Sequence, residues 1–191
     1  MGCSYVSGLA GYSLKPLVVH VIVGLLDGGA EGVLARLCTH GQRCEHVVIS
    51  LTGMGKYGPV LERSGIPVHC LNVNKGLFGW LRLFKLAYLL RINQPASVQT
   101  WMYHSDLIGG LIARIVGIRN IYWGIRHSEL NEETTKPATI LVARLCAYLS
   151  KKVPRKILCC ANQCLNSHAS MGYDKSKMIT IPNGYDLTKF F

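Results

Sequence analysis

Acidic residues are scarce in this sequence of 191 residues. Ten aspartates and glutamates stand against 21 lysines and arginines, which gives a formal net charge of +11. Such an excess of positive charge is compatible with binding to a nucleic acid, an anionic membrane surface or a phosphorylated substrate. It is equally compatible with a charge that only maintains solubility. Apart from the cluster at residues 151–156 the cations are scattered, and no aromatic residues are interleaved with them. We therefore predict no nucleic-acid partner.

Long apolar runs are also missing. The longest, such as residues 17–26, are far shorter than the roughly 20 residues that cross a bilayer. Residues 1–16 have no basic segment ahead of an apolar stretch, and Val6 stands where a myristoylation signal needs serine or threonine. With 49% hydrophobic residues and no repeat, the composition is that of a globular domain. We expect a cytoplasmic location.

Motifs for disulfides and metal sites are absent as well, since no two cysteines form a Cys-x-x-Cys pair. Most of the eight cysteines lie inside apolar segments, so we interpret them as small buried residues of a protein in a reducing compartment. Four histidines lie in or beside predicted core elements without the spacing of metal ligands: His20, His40, His46 and His69. We interpret them as structural and predict no metal site.

Apolar, β-rich segments alternate with segments of helical spacing along most of the chain. The predicted strands cover residues 17–25, 46–51, 67–71, 97–100, 120–124, 156–160 and 178–181. The predicted helices cover residues 31–40, 57–64, 77–93, 106–116, 136–151 and 162–171. This alternation is typical of right-handed βαβ units. We therefore predict an α/β fold with a Rossmann-like parallel sheet flanked by helices on both faces.

Such sheets bind ligands at the carboxyl ends of their strands, which directs attention to the loops that follow them. In the first loop, Gly28 and Gly29 allow a close approach to an anion, although an ordinary tight turn explains them equally well. The pattern is not Gly-x-Gly-x-x-Gly and no acidic residue ends the second strand, which argues against a nicotinamide dinucleotide. In the second loop, residues 53–57 lack P-loop spacing, which argues against nucleotide hydrolysis.

Two histidines follow predicted strands that should be neighbours in the sheet. His104 lies in the loop 101–105 beside a candidate helix N-cap, and His127 follows Arg126 in the loop 125–129. A histidine there can bond a sugar hydroxyl or transfer a proton, and an arginine can hold a phosphate or carboxylate. A capping role explains either histidine alone equally well. Their joint position at the ligand edge favours a function.

Four motifs in order along the chain carry a family resemblance. They are Gly28-Gly29-Ala30-Glu31, Trp101–Asp106, Ile125–Ser128, and Ile181–Gly184 with Asp186 and Phe190. Together they resemble the N-terminal, acceptor-side domain of family 4 glycosyltransferases of the GT-B architecture, of the bacterial polysaccharide-biosynthesis type. The resemblance covers residues 17–190. It predicts an N-terminal extension at residues 1–16, a Rossmann-like domain at 17–181 and a truncated interdomain crossover at 182–191.

The resemblance also implies an activity. Family members transfer a sugar, with retention of configuration, from a nucleotide-sugar donor to a glycan or lipid-linked acceptor in a cleft between two domains. It implies that the loop near the donor phosphates and acceptor is Gly28, Gly29, Ala30 and Glu31. His127 would be the catalytic residue near the transferred sugar. The acceptor side would comprise His104, Arg126 and Ser128, and the crossover would begin with Asn183, Gly184 and Asp186. The nucleotide sugar is a substrate, and no cofactor or metal is implied.

The sequence departs from the family pattern in three places. Gly32 stands where the family usually has a larger residue, Tyr185 replaces a small aliphatic residue, and the donor domain is absent. We therefore expect little or no transferase activity from this chain alone. Two alternatives stay open: a non-catalytic half that pairs with a separate donor-domain chain, and an inactive truncated gene product.

A peripheral contact with the inner face of the cell membrane is a weaker expectation. Residues 77–93 combine Trp80, Leu81 and Phe84 with three cations, as an interfacial helix does. A helix that covers the sheet fits the same pattern better.

Overall fold

The computed structural model describes residues 15–73, 76, 78–127, 130 and 135–184. Seven strands form one parallel sheet: β1 (Leu17–Ile22), β2 (Glu45–Ser50), β3 (Val68–Cys70), β4 (Ser97–Trp101), β5 (Ile121–Ile125), β6 (Lys156–Cys159) and β7 (Met178–Thr180). Their order in the sheet is β3-β2-β1-β4-β5-β6-β7. The predicted parallel α/β fold is confirmed. The predicted domain limits at residues 16 and 181 stay predictions.

Six α-helices connect the strands: α1 (Gly29–His40), α2 (Gly58–Arg63), α3 (Leu83–Asn93), α4 (Tyr103–Ile115), α5 (Pro137–Leu149) and α6 (Asn162–Ser170). Two short 3-10 turns, Gly79–Arg82 and Lys175–Lys177, complete the regular structure of the described residues. The observed elements agree with the predicted ones to within a few residues, because the apolar spacing that identifies them is local.

The helices pack on both faces of the sheet, as predicted. Alternate residues of β1 point to opposite faces, so Ile22 packs with α1 and α2 while Val19 and Val21 pack with α3 to α6. The strands β1 and β4 pair in register from Val18↔Ser97 to Ile22↔Trp101. Trp101 is fully buried. Over β4 to β6, on the face of α1, the described residues leave a groove instead of a helix.

Two predicted helix starts are wrong, and each has a physical reason. The helix predicted from Asp106 begins at Tyr103, because Met102 adopts φ 71° and turns the chain directly from β4 into α4. Asp106 therefore lies inside the helix, fully buried, where it accepts a hydrogen bond from Thr100 and is not an N-cap. The segment predicted as one helix over 77–93 starts with the 3-10 turn at Gly79–Arg82.

The described cysteines are free thiols, in keeping with the interpretation from the sequence. Cys38, Cys146, Cys159 and Cys164 are buried, and Cys44, Cys70 and Cys160 are partly buried.

Two of the histidines interpreted as structural lie in a chain of hydrogen bonds. Trp101 Nε1 donates to Nδ1 of His20 at 3.3 Å, so the proton of His20 sits on Nε2, which donates to Nδ1 of His46 at 3.0 Å. Nε2 of His46 then donates to the carbonyl of Gly41 at 3.3 Å. The sulfur of Cys38 and the two rings offer ligand atoms within 4.8 Å of one another. The nitrogens that would face a metal ion are already bonded to each other. The absence of a metal stays a prediction.

The buried His20 makes the stability of the fold dependent on pH. Burial, with the nearby His46 as a second cause, lowers the pKa of His20 from 6.5 to about 3. Below about pH 6.5, His20 binds a proton in the unfolded chain but stays neutral in the folded chain. Stability is therefore complete above about pH 6.5 and is lost as the pH falls toward 3. Between about pH 7.5 and pH 5 we expect His20 to contribute a loss of about 2 kcal/mol, measured as the difference between the wild type and His20→Gln in urea unfolding.

His20→Gln should flatten this dependence, whatever its effect on stability at neutral pH. Asp106, whose buried carboxyl has a raised pKa, acts in the opposite sense in both proteins and cancels in the comparison. His40→Gln, at an exposed position, should keep the wild-type dependence. Equal pH dependence in wild type and His20→Gln would contradict this account.

Candidate functional site

The loops after β1 and β2 form one connected wall at the carboxyl edge of the sheet. The backbone N–H of Tyr57 donates to the carbonyl of Leu25 at 2.9 Å, and Lys56 pairs with Asp27 at 2.8 Å. Gly55 has φ 52°, and a β-carbon there would collide with the backbone of Leu25. The second loop can therefore lie this close to the first only with glycine at that position.

Gly28 and Gly29 were predicted in the first loop, and the structure places them as the N-cap and the first residue of α1, in different surroundings. Gly28 is the extended N-cap, and its carbonyl accepts the N–H of Gly32 at 3.0 Å. The space beside Gly28 is filled by the carboxylate of Glu31, whereas nothing lies within 4 Å of a β-carbon built on Gly29. A ligand can approach the backbone closely at Gly29. An anion that reaches the helix start meets the Glu31 carboxylate first.

His127 follows β5 and is exposed, while its ring lies against a buried aromatic side chain. Its ring stacks on Tyr103 with centroids 6.2 Å apart and an interplanar angle of 16°. Nδ1 of His168 donates to the carbonyl of Cys164 at 2.7 Å, so Nε2 of His168 accepts the hydroxyl proton of Tyr103, also at 2.7 Å. Tyr103 is therefore held firmly beneath His127.

His104 is the second residue of α4, directly after Tyr103, and is partly buried. Because β4 pairs with β5 in parallel, His104 at the start of α4 and His127 after β5 lie at the same edge of the sheet, as the sequence predicted. Ser128 and Asp186, predicted for the acceptor side and the crossover, lie outside the described residues. The catalytic and acceptor-side roles stay predictions.

Arg126 binds a residue of the crossover. Its Nη1 donates to Oδ1 of Asn183 at 2.7 Å, and its guanidinium lies 5.1 Å from the ring centroid of Trp101. Burial lowers the pKa of the side chain. Its Nε is buried without a hydrogen-bond partner among the described residues. The structure thus joins two residues that the sequence placed in separate groups, since it ties the end of β5 to the crossover. Gly184, the next residue, is exposed.

The sequence reasoning missed the strained junction at Met102 and the partnership of Tyr103 with His168. Met102 has φ 71° and ψ 159°, a region of backbone space that is essentially reserved for glycine. A methionine gives no sequence signal for such a conformation. Tyr103 lies inside one of the quoted motifs, but its partner His168 is 65 residues away.

The groove over β4 to β6 has a volume of about 750 Å³ and is mainly apolar. We call it the sheet groove, and its walls include Val33 and Leu37 of α1, Leu158 of β6, and Ile181 and Pro182 of the crossover. Arg126 contributes a cation to its lining. Leu37 and Ile181 are 42% and 45% exposed, so the groove presents apolar surface to its surroundings.

Comparison with protein families gives one match. The model of Glycosyltransferase Family 4 matches residues 27–189, which include the motifs of the first loop, of β4 and β5 and of the crossover. No curated protein matches the chain.

Solved structures show the same fold at low sequence identity. HepE from Anabaena, bound to UDP and glucose, superposes with a TM-score of 0.75 at 16% identity, over 91% of this chain and 46% of HepE. MurG from Acinetobacter baumannii gives 0.60 at 14% identity, over 90% and 46%. A UDP-N-acetylglucosamine 2-epimerase from Rickettsia bellii gives 0.60 at 10% identity, over 88% and 45%. The chain thus spans less than half the length of these proteins.

The strain at Met102 can be measured by two substitutions. Met102→Gly relieves a backbone strain of about 1–3 kcal/mol at an entropic cost of about 0.5–1 kcal/mol, whereas Met102→Ala keeps the strain. We expect the glycine variant to be more stable than the alanine variant by about 1 kcal/mol in urea unfolding. The order should reverse at Leu141, an exposed residue inside α5, where glycine costs about 1 kcal/mol relative to alanine. Greater stability of Met102→Ala than of Met102→Gly would show that the junction is unstrained.

Proposed function

Because the chain belongs to Glycosyltransferase Family 4, we propose that it is the acceptor-binding N-terminal domain of a retaining glycosyltransferase. The observation that carries this proposal is the family match over residues 27–189. Gly29, His127 and Asn183 of these motifs also lie at the carboxyl edge of one parallel sheet. Ligands of such sheets bind at this edge.

The proposed donor is a nucleotide sugar, and the acceptor is a polysaccharide or a lipid-linked glycan. The complex of HepE with UDP and glucose supports a nucleotide-sugar donor. Gly29 offers open backbone to a ligand, and His127 offers an exposed imidazole held against Tyr103. We propose a cytoplasmic protein in peripheral contact with the inner face of the membrane, acting without a metal or cofactor.

Sugar transfer releases a charged diphosphate, so the site has to stabilise growing negative charge. In the described residues, the backbone amides at the start of α1 are suited to this, but Glu31 already places a carboxylate beside them. Arg126 is engaged with Asn183 and Trp101. The charge therefore needs groups from a second domain, and we expect little or no turnover by this chain alone.

Acceptor binding by the purified chain tests the proposal without requiring turnover. On an array of bacterial polysaccharide fragments and lipid-linked oligosaccharides, we expect binding that falls at least tenfold in His127→Ala and in Gly29→Ala. The first variant removes the imidazole. The second fills open space with a methyl group at a position without backbone strain, so its fold should be intact.

Gly53→Ala is the matched control, since Gly53 also has open space around it and lies at the same edge but outside the proposed contacts. It should bind glycans like the wild type. If no glycan binds, or if all three variants bind equally well, the acceptor role fails. That result would favour the inactive truncated product.

A second candidate function is a non-catalytic half that docks a separate donor-domain chain. The sheet groove favours it, because a parallel sheet is normally covered on both faces and the described residues leave this strip of apolar surface open. The crossover residues Ile181 and Pro182 form part of its wall, which is where a second domain would approach.

Reading and co-expressing the DNA directly downstream tests this candidate. If that DNA encodes a donor domain as a separate chain, the two chains should co-purify. Leu37→Glu should abolish the complex, because it places a charge in the apolar groove. Ile115→Glu, at a residue 81% exposed on α4, should leave the complex intact. A donor-domain chain that fails to co-purify, or one that Leu37→Glu still binds, would refute docking in the groove.

A further inference from the structure

The outer face of α3 and the 3-10 turn before it carries a row of exposed apolar side chains. Trp80, Phe84, Tyr88 and Ile92 follow one another at intervals of four residues and are 58%, 71%, 61% and 54% exposed. Residues four apart lie on the same side of an α-helix, so Phe84, Tyr88 and Ile92 form one surface along α3, and Trp80 precedes it in the 3-10 turn. We call these four residues the aromatic stripe. Phe78, 63% exposed, lies just before it in the chain.

The stripe is not needed to hold α3 in place. The opposite face of the helix buries Leu86, Leu89 and Leu90, which are 0%, 6% and 1% exposed, in the main core. Arg82 fixes the preceding turn by donating from Nη1 to the carbonyl of Asn72 at 2.8 Å. The helix thus covers the sheet, as the sequence analysis favoured, and it also exposes large apolar side chains. Such a patch on a folded domain marks an interaction site.

The charge around the stripe is of one sign. No acidic residue occurs between Glu62 and Asp106, whereas Arg82, Lys85 and Arg91 lie within or beside the stripe. Among the described residues, the ion pair between Lys56 and Asp27 involves none of these three cations. An apolar row with tryptophan and tyrosine, flanked by lysine and arginine, is complementary to a lipid bilayer, which has anionic headgroups at its surface and apolar chains beneath them.

We propose that the aromatic stripe docks this domain on an anionic lipid bilayer, with the aromatic side chains at the level of the headgroups and the three cations facing lipid phosphates. The helices of the described residues are too short or too polar to cross a membrane, so the docking is peripheral. This inference names the surface that makes the membrane contact included in the proposed function. It rests on the proposed function only in taking a membrane-bound acceptor as the reason for that contact.

The position of the stripe agrees with a membrane-bound acceptor. The strand β3 ends at Cys70, at the carboxyl edge of the sheet, and Asn72 just beyond it holds Arg82. The stripe therefore begins on the side of the domain where Gly29 and His127 lie, and α3 leads away from it. A bilayer on the stripe leaves the candidate site beside the membrane.

The tryptophans provide a built-in reporter of docking. Trp80 is exposed, whereas Trp101 and Trp123 are fully buried. Adding vesicles that contain phosphatidylglycerol should shift the emission of Trp80 to the blue, and the protein should sediment with the vesicles at low salt. Vesicles of phosphatidylcholine alone should bind much more weakly, because each cation near an anionic surface strengthens binding about fivefold.

Three variants separate the contributions. Phe84→Ser with Tyr88→Ser should weaken partitioning at least tenfold, and Lys85→Gln with Arg91→Gln, which removes two cations, should weaken it about 25-fold on anionic vesicles only. The matched control is Leu141→Ser with Tyr148→Ser, which removes apolar residues 60% and 72% exposed on α5 and should bind like the wild type. Far-ultraviolet circular dichroism verifies that each variant is folded, as expected from its exposed positions.

The proposal is overturned if the wild type does not bind anionic vesicles at low salt, or if the α5 control loses as much binding as the stripe variant. It is also overturned if the wild type is a dimer without lipid and Phe84→Ser with Tyr88→Ser makes it a monomer, since a second copy would then cover the stripe. No sugar or glycan is present in these experiments. A negative result therefore leaves the proposed acceptor binding untouched.

Discussion

Parallel pairing at the centre of the sheet is the constraint on which the other features depend. The strand β1 pairs with β2 on one side, where Val18 lies opposite His46. It pairs with β4 on the other side, where Val18 lies opposite Ser97. Because all seven strands run in one direction, each strand delivers its following loop to the same edge. Loops that are far apart in the chain are thus brought to one edge. Such a sheet also requires cover on both faces, which determines where the helices pack.

Trp101 shows how this arrangement links the core to the candidate site. It ends β4, directly opposite Ile22, and is fully buried. Its indole N–H fixes the tautomer of His20, while its ring lies beneath the guanidinium of Arg126. Arg126 in turn holds Asn183. One buried side chain therefore connects the hydrogen-bonded pair of His20 and His46 with the crossover.

Much of the fold was predictable from the sequence, because apolar periodicity and turn residues are local. The order of strands and helices and the parallel direction of the sheet follow from them. The start of α4 did not, since the positive φ of Met102 arises from the way β4 and α4 pack and not from a glycine. The partner of Arg126 was equally hidden, because Asn183 lies 57 residues further along the chain. Pairings of that range depend on the tertiary structure.

The two apolar surfaces that the described residues leave open differ in the cations beside them. The sheet groove and the aromatic stripe lie on opposite faces of the sheet, with α1 and α3 respectively. The groove is lined by the cations of Arg36 and Arg126, and the Nε of Arg126 is buried, so an occupant has to satisfy a desolvated guanidinium at short range. Beside the stripe, the cation of Lys85 is exposed and can stay in water while its stem covers apolar surface. A folded polypeptide can place a polar group against the buried guanidinium in the groove. A fluid headgroup layer suits the exposed cation beside the stripe, because it offers many phosphates and no fixed geometry.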